Sequence, residues 1–334
     1  MISNNKNSKI EEIIPTNEVE IIPTNEVEMP TEVDNLFENA HDMAKRSKRR
    51  SIIGKVVIYA ILVLYAMFII FPFSIVMITS IKTWIESRNQ IFTIFPKDGY
   101  TLEGYKEVLK YDIFGTLDLP IMIQGFLNTL VYVIPPTFMG LFVSTLSAYA
   151  FAKLRFKASK FMYAVLLATM MIPGTITIAP QYLVYDTLRL TKNFPAFPLI
   201  IPGMFGAAAC VFFMRQFISG IPDSVVEAAK IDGVGYFGIF IKIIIPLSVP
   251  ALIAQGLLGF IGGYNDYFGP LIYLKDAEKF NLQLALQLLE GAYNKQRPSY
   301  VMAATVVALA PTLIIYFIAQ EFFIEGIAAS GIKG

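Results

Sequence analysis

The chain has 334 residues, of which 55% are hydrophobic and only 16% charged, whereas a soluble globular domain carries about 25% charge. That composition excludes an ordinary soluble domain and points to the membrane class. A formal net charge of +1 gives no electrostatic ground for nucleic-acid binding, and a single cysteine, Cys210, set in an apolar run, excludes a disulfide framework within the chain.

Residues 1–50 differ from the rest. They are polar and repeat the octapeptide EIIPTNEV at Glu12–Val19 and Glu20–Val27, a composition that predicts a disordered tail. The tail holds the single histidine, His41, and ends in the basic run KRSKRR, Lys45–Arg50. The first apolar run starts only after residue 50, without the early basic-then-apolar layout of a secretory signal.

Beyond the tail, charge-free windows recur at Val56–Ile81, Leu119–Ala152, Phe161–Tyr185, Asn193–Met214, Ile243–Asn265 and Pro298–Gln320. Each reaches the roughly 20 residues with which a helix crosses a hydrocarbon core about 30 Å thick. The predicted fold is an all-α membrane protein, with six transmembrane helices in one domain over residues 51–334. The second window is too long for one straight crossing, so its first residues are expected at the interface or in a short outer helix. Pro135-Pro136, Pro173-Gly174, Pro202-Gly203 and Pro250 are expected to interrupt their spans, where freed backbone groups find partners in protein or a water-filled cavity. Small residues at Gly206–Ala209 and at Gly256, Gly259, Gly262 and Gly263 let helices approach closely and imply a bundle.

Lysine and arginine favour the cytoplasm in short loops. One face receives the tail cluster and Lys55, then Lys153, Arg155, Lys157 and Lys160, then Arg215, Lys230 and Lys242. The opposite loop, 82–118, offsets its basic residues with Glu86, Asp98, Glu103, Glu107 and Asp112. Both termini are therefore expected in the cytoplasm.

Enzymatic chemistry is not visible. There is no Cys/His metal spacing and no Gly-x-Ser-x-Gly elbow, and Gly54-Lys55 lacks the other residues of a phosphate loop. The six windows contain no Asp, Glu, Lys, Arg or His, although ion-coupled carriers ordinarily place such residues inside the membrane. Energy for transport against a gradient would come from another protein.

One charged stretch, about 221–246, interrupts the apolar sequence between the fourth and fifth windows. Ser224 and Glu227 have the spacing of a capping box, with Pro222 and Asp223 just ahead. The helix should run through Ile231 and end at Gly233 in a left-handed cap. Tyr236–Ile245 reads as a second short helix, and Pro246 as a break before the fifth span. Such a helix-turn-helix suits docking into another protein's cleft; a plain loop is the competing reading.

The sequence EAAKIDGVGYFGIFIKIIIPLSVP resembles the EAA loop of bacterial ABC importer permeases. Glu227, Ala228, Ala229, Gly233 and Pro246 occupy the motif positions, with Ile245 where Leu is frequent and Asp232 beside the glycine as in the sugar-importer version. SAYAFAKLRF (Ser147–Phe156), GYNDYFGPLIYL (Gly263–Leu274) and GIKG (Gly331–Gly334) are similar to the maltose and multiple-sugar branch, in the subunit of the pair with a short C-terminal tail. Tyr264-Asn265-Asp266 departs from the common Trp-Asn-Asp or Trp-Asn-Glu.

The resemblance implies the type I importer fold in a bacterial cytoplasmic membrane, with six spans and a cytoplasmic EAA coupling helix between spans four and five. It implies a heterodimer with a sister permease, docked on a cytoplasmic ATPase dimer that binds ATP and Mg; this chain binds no cofactor or metal and has no catalytic residue. An extracytoplasmic solute-binding protein delivers the sugar, and Gly331, Lys333 and Gly334 reach into the ATPase dimer interface. Neutral sugars suit aromatic, amide and hydroxyl groups, which makes Asn128, Thr129, Tyr264 and Asn265 the pathway candidates, with helix packing as their competing role. The 82–118 loop with Trp84, Tyr100, Tyr105 and Tyr111, and the segment FNLQLALQLLEG (Phe280–Gly291), are expected to receive the binding protein. The alternatives are a peptide, amino acid or polyamine importer, or an ion-coupled secondary carrier.

Overall fold

The first helix starts well inside the expected tail. In the computed structural model, which describes residues 31–89, 93–112, 119–293 and 296–331, with side chains between 52 and 320, α1 runs from Thr31 to Ser80. The EIIPTNEV repeat lies outside the described residues. Residues 31–50, expected to be disordered, contain no Gly or Pro and are rich in Glu, Ala, Lys and Arg, which favour helix. They extend a helix that the apolar stretch has already nucleated, so the costly first turn is not theirs to form. Contacts divide the chain into 1–69 and 70–334. In the first unit every described side chain from Ile52 to Ile69 is exposed, as a lipid-facing surface would be.

The second unit opens with two short helices, α2 (Trp84–Asn89) and α3 (Glu103–Val108). Around α2 two charged side chains are buried, Lys82 at 1% and Glu86 at 5% exposure. Lys82 Nζ donates to Thr93 Oγ1 at 2.8 Å, and Thr93 Oγ1 donates to Glu86 Oε1 at 3.1 Å. The Glu86 carboxylate also accepts the backbone N–H groups of Lys97 and Asp98 at 3.0–3.2 Å. Burial alone would push the Glu86 carboxyl up, but these donors and the Lys82 charge outweigh it and hold the group below the usual carboxylate range. A lowered folded pKa stabilises the fold above the unfolded value, about 4.3, and that contribution is lost as pH falls through the folded value. Trp84, the single tryptophan, reports on this segment. Its fluorescence in the purified chain should change on acidification below about pH 4. Glu86→Gln should show the altered signal already at neutral pH, the network having lost about 1–3 kcal/mol. Identical titrations for the two proteins would dismiss Glu86 as the group responsible.

The bundle follows. α4 (Ile121–Lys153) is one continuous helix of 33 residues, about 50 Å long at 1.5 Å per residue. The expected outer helix is not separate from it, and Pro135-Pro136 lie inside it without ending it. Their missing N–H groups release the carbonyls of Val131 and Tyr132 from the helical ladder, a loss a bundle tolerates when protein surrounds the site. The other expected breaks occur. α5 (Ser159–Thr169) and α6 (Gly174–Thr187) meet at 94° across Pro173. After α7 (Leu190–Asn193), α8 (Phe197–Met204) ends just past Pro202-Gly203 and gives way to α9 (Ala208–Ser219).

Beyond α9 come α10 (Asp223–Ile231), α11 (Tyr236–Ile239), a π-helical turn Phe240–Ile244 and α12 (Ile245–Leu247). The stretch Tyr236–Leu247 then bends by 80° into α13 (Val249–Tyr264). Pro246 therefore sits two residues before the bend, which falls at Ser248, with Pro250 at the start of the next helix. α14 (Phe268–Tyr273), α15 (Leu282–Tyr293) and α16 (Pro298–Gly331) complete the chain. Among the described residues four stretches are long and apolar enough to cross a membrane, Ile52–Ser80 of α1, α4, Phe197–Ser219 taking α8 and α9 together, and Pro298–Gln320 of α16, or six if each bent pair counts as one span. The third and fifth windows are the two bent pairs. Among the described residues β-pairing is limited to one isolated bridge, Lys82 to Tyr100.

Two buried clusters hold the bundle. One joins Ala148 and Tyr149 of α4 to Met214 and Ile218 of α9, Val226 and Ala229 of α10, and Phe240 and Ile244 of the π turn. The other joins Ile121 and Met122 of α4 to Tyr264, Leu282, Ala285 and Leu289, and to Tyr300, Ala303 and Ala304 of α16. Between them α4 meets α8 backbone to backbone. A Cβ on Gly140 would collide with the carbonyl oxygen of Gly203, and one on Gly203 would lie 2.8 Å from Pro136 Cβ. The Ala207 N–H donates to Ser144 Oγ at 3.0 Å across the same seam.

Candidate functional site

α10 does not begin as its sequence suggests. Pro222 stands at the N-cap with φ −58° and ψ 136°, Asp223 is already helical, and no side chain caps the first turn. Ser224 is thus inside the helix and the capping box is not formed. A proline has φ preset for a helix start, and Asp223 complements the positive end of the helix dipole in the first turn.

The other end meets expectation. Gly233 has φ +78°, the Val234 N–H donates to the Ala229 carbonyl and the Gly233 N–H to the Lys230 carbonyl, both at 3.0 Å. This is the Schellman arrangement, and Val234 packs against the core that contains Ala229. Val226 and Ala229 are buried, at 3% and 6% exposure, and fix one face of α10 to the bundle. Glu227, Ala228 and Ile231 share the other face and are exposed, Ile231 at 87%, with Asp232 exposed beside them. A bare isoleucine next to a small alanine and a carboxylate is a surface that another protein can cover.

A cavity of about 240 Å³ lies among α4, α8, α13 and the segment that follows α13, lined by Thr129, Tyr132, Val133, Pro136, Thr137, Leu199, Gly203, Gly259, Gly263, Asp266, Pro270 and Asn281. It is smaller than the roughly 300–1,000 Å³ of drug-sized pockets and has room for about one ring-sized unit. Of the four pathway candidates, only Thr129 borders it. Thr129 Oγ1 donates to the Gly125 carbonyl at 2.7 Å and accepts the Leu282 N–H at 2.9 Å. Asn128 donates to the carbonyls of Glu278 and Phe280 at 2.8 and 2.9 Å, tying that loop to α4. Tyr264 is buried and its hydroxyl donates to the Ala308 carbonyl at 2.8 Å. Asn265 is exposed and donates to the Ile261 carbonyl at 2.9 Å. The four are not gathered around one space.

Sequence reasoning passed over Asp266, which lies one residue beyond the fifth window and lines the cavity. Its Oδ1 accepts the Gly269 N–H at 3.1 Å, and among the described residues it is in no salt bridge. A carboxylate that lines a cavity at the end of a span is a mark of function, and Asp266 falls just past the charge-free window that ends at Asn265. The expected docking aromatics also divide. Tyr100 is 68% exposed, while Trp84, Tyr105 and Tyr111 pack on the second core, and Leu282, Leu284, Ala285 and Leu289 turn inward. Gly331 ends α16, and Lys333 and Gly334 lie outside the described residues.

Residues 140–328 match the family described as binding-protein-dependent transport system inner membrane components. A protein of Pyrococcus horikoshii named as a probable ABC transporter permease is 32% identical, over 76% of this chain and 89% of its own. An arabinooligosaccharides transport system permease of Halalkalibacterium halodurans is 29% identical, over 79% and 91%. In structure, a chain of a bacterial ABC transporter that imports the acidic polysaccharide alginate superposes with a TM-score of 0.69 at 25% identity, covering 81% of this chain and 96% of that one.

Proposed function

We propose, from the fact that this chain belongs to the family of binding-protein-dependent transport system inner membrane components, that it is the permease subunit of an ATP-driven importer of sugars or oligosaccharides. The observation that carries the reading is α10, anchored through Val226 and Ala229 and bare along Glu227, Ala228 and Ile231. In this reading α10 seats in a cleft of a cytoplasmic ATPase dimer, where ATP and Mg bind, and the chain itself does no chemistry. The basic residues at that end support a reading in which it and both termini face the cytoplasm. A sister permease completes the pathway, an extracytoplasmic binding protein delivers the substrate, and the tail Gly331, Lys333 and Gly334 touches the ATPase interface. Relatives named for arabinooligosaccharide and alginate transport support sugar over peptide, amino acid or polyamine. Reconstitution separates the classes: a secondary carrier moves solute alone, whereas this chain should need ATP, its partner subunits and the binding protein.

The cavity at Thr129 and Asp266 is the part of the pathway this subunit contributes. Asp266→Leu should lower uptake about tenfold, the worth of one charged hydrogen bond. Asp266→Asn, which can still cap the Gly269 N–H and offer an amide, should keep most of it. Full uptake by both variants in proteoliposomes would remove the cavity from the pathway.

A further inference from the structure

The last residue of α4 is a lysine with almost no access to solvent. The Lys153 side chain is 4% exposed. Its ammonium donates to the Ile221 carbonyl at 2.5 Å and to Asp223 Oδ1 at 2.6 Å. These acceptors flank Pro222, the N-cap of α10. One cation therefore bridges the end of a span to the first turn of the docking helix, across 68 and 70 residues of sequence.

Three observations say that this bridge is more than a surface ion pair. Burying an ammonium is costly unless it finds hydrogen-bond acceptors, and here α10's entry supplies two, the Ile221 carbonyl and Asp223 Oδ1, while the negative end of α4's own dipole favours the charge. Asp223, 71% exposed, is held below the usual carboxylate range by Lys153 first and by Arg155 and Lys230 more weakly. And α4 runs unbroken from Lys153 to the residues that wall the cavity, Thr129, Tyr132, Pro136 and Thr137. A displacement of the start of α10 draws on Lys153, which is the last residue of α4.

We propose that Lys153 is a positioning residue that fastens the docking helix to the cavity wall, so that movement imposed on α10 reaches the cavity through α4. This rests on the permease reading, and the test separates the two. In a Cys210→Ser background, Thr137→Cys places one thiol on the cavity wall. The complete complex with sister permease and ATPase is treated with Mg-ATP and orthovanadate, and the rate of N-ethylmaleimide labelling of this chain is measured. With Lys153 present, trapping should change the rate at least fivefold. In Lys153→Met the change should fall below twofold while co-purification and ATP hydrolysis persist, and Lys153→Arg should restore it. A full change in Lys153→Met overturns the proposal. Should that variant not assemble, Asp223→Lys, which sets a like charge against the ammonium from an exposed position, decides: an undiminished change there overturns it equally. No change with Lys153 present overturns this inference, whereas the permease reading falls separately if the chain does not co-purify with an ATPase.

Discussion

Replacing Gly233 by valine is expected to leave an importer that assembles and hydrolyses ATP but moves at most a tenth of the sugar. A Cβ at this position would meet nothing within 4 Å, so the cost is not a clash. It lies in φ +78°, where an L-residue is disfavoured by about 1–2 kcal/mol and a β-branched one by more. The chain relieves that strain by leaving the left-handed region, which breaks the bonds to Ala229 and Lys230 and draws Val234 from the core. α11 then leaves the turn in another direction, and the anchored face of α10 loses its support. The effect should be graded: Gly233→Asn within about threefold of the parent, because asparagine tolerates this region, alanine between, valine lowest. The measurement is uptake per ATP hydrolysed in proteoliposomes, and a normal ratio for valine would show that the turn plays no part in coupling.

Gly140→Ala should damage the fold rather than the coupling. Its methyl group would run into the carbonyl oxygen of Gly203, and a backbone atom, unlike the end of a side chain, cannot swing aside. α8 must back away from α4. Overpacking costs about 1–3 kcal/mol where side chains can adjust, and here the upper end or more is expected, seen as a drop of several degrees in thermal unfolding of the detergent-solubilised protein and a poor yield. Gly259→Ala is the control, because its nearest neighbour is Thr137 at 3.8 Å, ordinary contact, and it should melt with the parent. Equal melting of both variants would mean that the α4–α8 seam is looser than its geometry.

What could be read from the sequence was whatever local chemistry writes. Gly233 needed only its place after a helix, and the six apolar windows needed only their length. The capping box at Ser224 failed because Pro222 offered a competing start, and Pro135-Pro136 failed as a break because packing holds α4 together around them. The pathway candidates were harder to place for a different reason: the structure does not gather them around one space, and only Thr129 borders the cavity. Thr129 and Tyr264 are polar residues in apolar spans, but their partners, Leu282 and Ala308, lie 153 and 44 residues away. Nothing in the local pattern reveals that those bonds are already made. The pair Lys153 and Asp223 was hidden in the same way.

The glycine seam has a mechanical meaning. Gly140 sits between the two buried clusters, about 20 Å along α4 from Lys153 and about 16 Å from Thr129 at 1.5 Å per residue. A helix gripped at Gly140 would turn there as on a fulcrum with arms of similar length. Its two ends would then travel in opposite senses by comparable amounts, so a push inward at the Lys153 end would become an outward swing at the cavity. A substrate chamber that opens to one side as the other closes needs no more than that geometry.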